Sequence, residues 1–400
     1  MSRSQFLPQI PYGTKDFLPR DARRKRAAEN ALASLFARWG YDEVVTPTFE
    51  YLETLTVGVS GDLVQSLFKF FDRNNAILAL RPDMTTPIAR VAATRFRESV
   101  PPLRLFYLTN VFRQEQAQAG RQCEFYQAGV ELLGAGGPAA DAEVVALAVT
   151  ALLETGLTNF QVGLGQVQFL NGVMAESGLT AGEQQRVKQF LVSRDLVGLG
   201  EILAGSSLSA AAQKLIREIP LLHGNDKVVS EAYRLVGNDV SRAALDNLAD
   251  IRRLLAGYGV ERYVTFDLGL IRDLDYYTGM VFEGYTPGLG FPLCGGGRYD
   301  NMVAAFGVDC PATGFAMGIE RILLALERQG IAPPEAVRDA YVAWDEGALA
   351  AAIAEAGRLR HEGRTVEMAL EASSRAEAEA ARAAKGYSRL VYCDNNVAAG

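Results

Sequence analysis

The chain has 400 residues, 49% of them apolar and 22% charged, the composition of a globular protein with more than one domain. Its 40 Lys and Arg against 47 Asp and Glu leave a net charge of −7, which excludes a strongly basic nucleic-acid or membrane-surface protein but not a local basic pocket. The most apolar run, Val144 to Leu153, is far shorter than the ~18 residues a membrane span requires. The N-terminal segment lacks the hydrophobic stretch of a signal peptide, and Cys123, Cys294, Cys310 and Cys393 form no CxxC pair. The expected location is therefore the cytoplasm, with neither zinc nor a disulfide framework.

Residues 21–39 repeat apolar positions at helical spacing behind Asp21, a candidate N-cap, and Gly40 ends the helix. A strand over 41–46 closes at Pro47. The cluster Arg23, Arg24, Lys25 and Arg26 reads as a solvated helix face, since Glu29 follows and no aromatic residue is interleaved. A short strand is predicted at 77–82, with Pro82 holding Arg81 extended, and a helix from about Pro87 with Thr85 and Thr86 as candidate caps. Two strand-like runs, 103–114 and 122–133, flank a polar turn and predict an antiparallel pair. A helix at 138–155 and a strand near 159–164 follow.

Residues 166–258 carry a Gly-broken helical pattern with no strand before Tyr263. Strands return at 262–269 and 280–286, then a Gly-rich turn, CGGGRYD, and a helix from Gly318 to Arg328. The last 70 residues alternate strand 340–344, helix 347–360, strand 364–369, helix 373–385 and strand 388–393. The expected division is a core of 1–165 and 259–330, a helical insertion at 166–258, and a small α/β domain at 331–400.

Three arginines stand beside structural punctuation: Arg113 at a strand end, Arg121 after a turn, and Arg321 near a helix start. A guanidinium fork binds carboxylate or phosphate, although each one singly also fits a surface ion pair. Period-two geometry puts Phe125, Gln127, Gly129 and Glu131 on one strand face and Tyr126, Ala128 and Val130 on the other. The first face is either an open polar floor or a solvent-facing side. Asp83 suits an ammonium group and Thr85 a helix cap. The run Arg272, Asp273, Asp275, Tyr276, Tyr277 is too polar for a core strand without partners and points to a pocket. The glycines before Arg298 and Tyr299 admit a close ligand or make a tight turn. No GxxxxGK[ST] loop and no strand-linked GxGxxG occurs, and His223 and His361 lie apart from these clusters. No cofactor, metal centre or Ser-His-Asp centre is expected.

Together these segments resemble the class II aminoacyl-tRNA synthetases, specifically the histidyl-tRNA synthetase lineage. YGTKDFLP (12–19) resembles its N-terminal signature, and the helix–strand–Pro47 segment resembles motif 1, the family's dimer interface. Residues 112–131 resemble motif 2, residues 314–326 motif 3, and RDLDYYTG and GGGRYDNM the two histidine signatures. The fold implied is α+β: a mainly antiparallel sheet flanked by helices, with a helical insertion and a small C-terminal α/β domain.

The departures resemble the non-catalytic branch of that lineage, the regulatory subunits of ATP phosphoribosyltransferase. Arg113 and Arg121 are the only cations between Phe112 and Phe125, where synthetases carry a basic turn. LRPDMT stands for LRPEGT and RDLDYY for RGLDYY. The last 70 residues hold 8 Lys and Arg against 11 Asp and Glu, and resemble a shortened anticodon-binding domain that is a poor RNA surface.

By resemblance, Glu131 and Tyr277 address the imidazole nitrogens of histidine, with Gln127, Tyr276 and Tyr299 lining the site. Asp83 and Thr85 hold its α-amino group and Arg272 its carboxylate, while Arg113, Arg121 and Arg321 are vestigial anion sites. The implied protein catalyses nothing itself. It serves the first step of histidine biosynthesis and its feedback inhibition by histidine. It pairs with a short catalytic subunit, as a homodimer within a hetero-octamer, without tRNA or membrane. The alternatives are an active histidyl-tRNA synthetase and a synthetase-like adaptor for another protein.

Overall fold

The computed structural model describes residues 9–58, 61–114, 122–193, 195–206, 208–270, 276–332 and 334–394. They form two compact units, Met1–Ala332 and Pro333–Gly400. The larger carries a nine-stranded sheet ordered Asp42–Glu43, Leu103–Phe112, Glu124–Leu133, Ala312–Gly318, Cys294–Arg298, Met280–Tyr285, Gln161–Gln166, Val264–Asp267 and His223–Gly224. Two pairings are parallel, Asp42–Glu43 with Leu103–Phe112 and Gln161–Gln166 with Val264–Asp267; the others are antiparallel. This is the α+β architecture expected.

The apolar run that is too short for a membrane sits in the helix Pro138–Glu154, where residues 144–149 are completely buried. A helix apolar on all sides must be covered on all sides. One side meets the sheet at Ala312–Gly318; the others meet the helices Pro19–Arg38 and Asp239–Gly257. The second of these helices belongs to the region 166–258, so that region's apolar face completes the core under the sheet. No helix among the described residues is long and apolar enough to cross a membrane.

Several local expectations change. Asp21 is not an N-cap: the helix begins at Pro19 behind Leu18, and Asp21 lies in its first turn. The strand expected at 41–46 shrinks to Asp42–Glu43, and the region 166–258 contains the two-residue strand His223–Gly224. The strand Ala312–Gly318 had no counterpart in the sequence reading.

The largest correction concerns CGGGR. It is no turn but the buried strand Cys294–Arg298 near the middle of the sheet. A Cβ on Gly296 would lie 2.2 Å from the Gly314 carbonyl oxygen, and one on Gly297 would lie 2.9 Å from the Tyr277 ring. The glycines therefore admit a neighbouring strand and a tyrosine. In the basic cluster, Lys25 and Arg26 pair with Glu29 at 2.5 and 3.2 Å, and Arg24 Nη2 donates to the Leu323 carbonyl at 3.2 Å. Arg24 and Lys25 are each 12% exposed at the side chain, so the solvated-face reading fails for them and fits Arg26, which is 70% exposed.

A second sheet orders Phe49–Tyr51, Ile77–Leu80 and Lys69–Phe71, all antiparallel. It is tied to the main sheet through Arg81, whose buried guanidinium donates to the carbonyls of Asn110 at 3.0 Å and Thr46 at 2.9 Å. The smaller unit holds three parallel strands in the order Val366–Met368, Ala340–Trp344, Arg389–Cys393. The helices Leu349–His361 and Arg375–Lys385 cover its two faces. Ser374 and Glu377 close a capping box at the start of the second helix, and Gly386 ends it at φ 72°.

Candidate ligand-binding site

Antiparallel register places directly opposite residues on the same face of a sheet. Glu131 lies opposite Leu105 on one side and Gly314 on the other, and Gly314 lies opposite Gly297. The next row runs Tyr107, Gly129, Ala316, Gly295, and the third pairs Thr109, Gln127 and Gly318. A cleft thus opens over small residues, with Glu131 on one flank and Gln127 on the other. Asp83, Thr85, Arg113, Tyr276, Tyr277 and Tyr299 complete its lining. Its empty volume is about 440 Å³.

Glu131 is 1% exposed. Thr85 Oγ1 donates to its Oε1 at 3.0 Å, and the Tyr299 hydroxyl donates to Oε2. Gly314 is needed here, because a Cβ on it would collide with Oε2. Burial raises the Glu131 carboxyl to about 8, against the two hydrogen bonds, which pull it down. Asp83, itself buried, adds to the rise. Burial raises Asp83 as well, opposed first by the charge of Arg113.

Thr85 is not a cap: the helix Thr85–Arg95 starts behind Met84 with no side-chain cap bond, and Thr85 spends its hydroxyl on Glu131. Two buried acceptors of the cleft, Asp83 Oδ2 and Gln127 Oε1, have no hydrogen-bond partner among the described residues. The tyrosine rings meet around the cleft, Tyr276 tilted against Tyr277 at 4.8 Å and edge-on to Tyr299 at 6.0 Å between ring centroids.

The other arginines divide. Arg113 reaches the cleft, its Nε donating to the Pro82 carbonyl at 2.9 Å and its guanidinium 5.6 Å from the Phe125 ring. Arg321 does not line the cleft; it donates to the Pro292 carbonyl at 2.8 Å and lies 5.1 Å from the Phe291 ring. Arg121, Arg272, Asp273 and Asp275 lie outside the described residues. Arg298 is a structural residue, paired with the buried Asp141 at 2.8 Å and with Asp300 at 2.9 Å. Tyr107, Gly295, Gly314 and Ala316 were missed. For Tyr107 the signal was available: alternation along its strand puts it beside Gly129.

One pH dependence follows from Glu131. Its carboxyl binds a proton more tightly in the folded chain, near 8, than at its ordinary value of 4.5. The folded state then holds more protons, so this group's contribution is fully present at pH 4.5 and below and is lost as pH rises toward 8. Thermal melts of the ligand-free chain and of Glu131→Gln at pH 6 and pH 8.5 check this. The wild type should lose more stability than the variant across that interval.

The histidyl-tRNA synthetase family model matches residues 13–322. An ATP phosphoribosyltransferase regulatory subunit of Desulforamulus reducens is 45% identical, over 98% of this chain and 98% of its own length. The chain belongs to that family. The regulatory subunit of Moorella thermoacetica is also 45% identical, over 94% of this chain and 96% of its own. Among solved structures, the Bacillus halodurans protein described as an ATP phosphoribosyltransferase regulatory subunit/histidyl-tRNA synthetase superposes with a TM-score of 0.88. It is 34% identical and covers 99% of this chain and 100% of its own. The histidyl-tRNA synthetase of Nostoc sp. PCC 7120 has a TM-score of 0.83 at 20% identity, covering 98% and 93%, and shares the fold.

Proposed function

We propose that the chain is a non-catalytic regulatory subunit that binds L-histidine in this cleft and relays feedback to a short ATP phosphoribosyltransferase catalytic subunit in the cytoplasm. The observation that carries the reading is the pair of buried acceptors, Asp83 Oδ2 and Gln127 Oε1, that have no donor among the described residues. An unmet buried acceptor costs about 1–3 kcal/mol, and a bound amino acid brings an ammonium group whose N–H donors meet Asp83. Asp83 and Thr85 then hold the α-amino group, and Arg272 the carboxylate. Glu131 and Tyr277 address the imidazole nitrogens, one nitrogen needing an acceptor and the other a polar partner. Gln127, Tyr276 and Tyr299 shape the rest.

Nucleotide chemistry has less to stand on. Arg321 is turned to the Pro292 carbonyl, and the motif 2 turn has Arg113 and Arg121 as its only cations. Among the described residues, Arg113 lines the cleft and Arg321 does not, which gives the convergent charges of adenylation less support. The three remain vestigial anion sites.

For assembly, the outer face of the three-stranded sheet supports a homodimer through the motif 1 region. Phe49 and Tyr51, in the strand after Pro47, stand there 50% and 56% exposed beside Phe70 of the strand Lys69–Phe71, 37% exposed. Two such dimers would join four catalytic subunits in the hetero-octamer, without tRNA or membrane. The test is histidine-dependent ATP–pyrophosphate exchange by the purified chain. No exchange is expected, together with recovery of histidine-inhibited phosphoribosyltransferase activity when the catalytic subunit is added. Robust exchange would overturn the regulatory reading in favour of a synthetase.

A further inference from the structure

In the row Tyr107, Gly129, Ala316, Gly295, which runs across the cleft between Glu131 and Gln127, only Tyr107 has a side chain larger than a methyl group. Cross-strand partners normally stand side by side with their Cβ atoms about 5 Å apart. Here the partner of Tyr107 is a glycine, and the tyrosine ring lies down over it. A Cβ placed on Gly129 would be 2.4 Å from the Tyr107 hydroxyl oxygen, 2.5 Å from Cζ and 2.4 Å from the Phe315 carbonyl oxygen. The ring tip and that carbonyl together fill the space above Gly129, and the ring is the part a substitution can remove. Tyr107 is 1% exposed, so neighbouring groups hold the ring in place.

We propose that Tyr107 sets the depth of the cleft and selects the ligand by size. The proposal rests on the reading that the ligand is histidine. A ligand that reaches from Glu131 toward Gln127 crosses this row, with its middle carbons on the phenol tip. Buried interiors are packed too tightly to yield to an added methyl group without strain. One extra methyl on the ligand is thus resisted, while Thr85, Gln127, Glu131 and Tyr299 hold its polar ends unchanged.

The test measures binding of L-histidine, α-methyl-L-histidine and 2-methyl-L-histidine to the full chain by calorimetry. Each analogue adds one methyl and keeps the amino group, the carboxylate and both ring nitrogens. The wild type should bind histidine at least tenfold more tightly than either analogue, the discrimination one methyl commonly produces. Tyr107→Phe, which keeps the ring, should retain that ratio. Tyr107→Ala should weaken histidine and compress the ratio to threefold or less.

Should the alanine variant fail to fold, Tyr107→Leu shortens the side chain while staying apolar, and the same compression is expected. An unchanged ratio in the shortened variant, or a wild type that does not discriminate, overturns the role of Tyr107. So does a collapse of the ratio in Tyr107→Phe, which would assign selection to the hydroxyl. A wild type that binds no histidine overturns the histidine reading itself, and this proposal with it.

Discussion

Replacing Glu131 by alanine should lower the affinity for L-histidine by two orders of magnitude or more, measured by titration calorimetry. The carboxyl is buried, and its two oxygens already accept from Thr85 and Tyr299. Removing a buried hydrogen-bonding group leaves each group that faced it unsatisfied, at about 1–3 kcal/mol apiece. In Glu131→Ala the imidazole would face an apolar methyl and the hydroxyls of Thr85 and Tyr299 would lose their acceptor.

The same variant separates binding from folding. Removing a buried carboxyl also removes the penalty that holds it near 8, so the chain should stay folded when histidine is lost. Glu131→Gln keeps the size and one acceptor oxygen, and should bind with intermediate affinity. If Glu131→Ala binds histidine as the wild type does, the effector sits elsewhere.

The second large effect concerns stability. Arg298→Met should lower the unfolding free energy by about 3–5 kcal/mol, the usual cost of leaving a buried ionic partner uncompensated. Arg298 pairs with Asp141 at 2.8 Å and Asp300 at 2.9 Å, and also donates to the Ala135 carbonyl at 3.2 Å. Asp141 is 1% exposed in the first turn of the core helix Pro138–Glu154, so water reaches it poorly. Urea denaturation should show the midpoint shift. Adding Asp141→Asn should recover part of the loss, because the orphaned charge goes with it. A shift below about 1 kcal/mol would place the pair among weak surface bridges. Since Tyr299 follows Arg298 in the chain, histidine affinity should fall in the same variant.

The strand pair around the cleft was legible from residue types. Alternation put Gln127, Gly129 and Glu131 on one face, and that face became the floor, with Ala128 and Val130 in the core on the other. The solvent-facing alternative fails because Glu131 is buried. Thr85 was misread as a cap because a threonine before a helix fits capping or a distant partner equally well; the partner, Glu131, comes from another element. Arg113 and Arg321 looked alike in sequence, yet one reaches the cleft and the other turns to a backbone carbonyl.

Residue order alone determined the α+β class, the antiparallel pair, the apolar core helix and the lineage, because periodicity and motif spacing are local properties. Tertiary structure decided whether glycines make a turn or a close approach, since that depends on what packs against them. At CGGGR a neighbouring strand and Tyr277 occupy the space, so the turn became a buried strand. It also decided that Asp83 and Gln127 keep acceptors in one cleft that no described residue meets. That depends on how separate elements pack around those atoms, which no local pattern encodes. The opening net charge of −7 was silent on this, whereas two buried carboxylates facing one cleft favour a ligand with N–H donors.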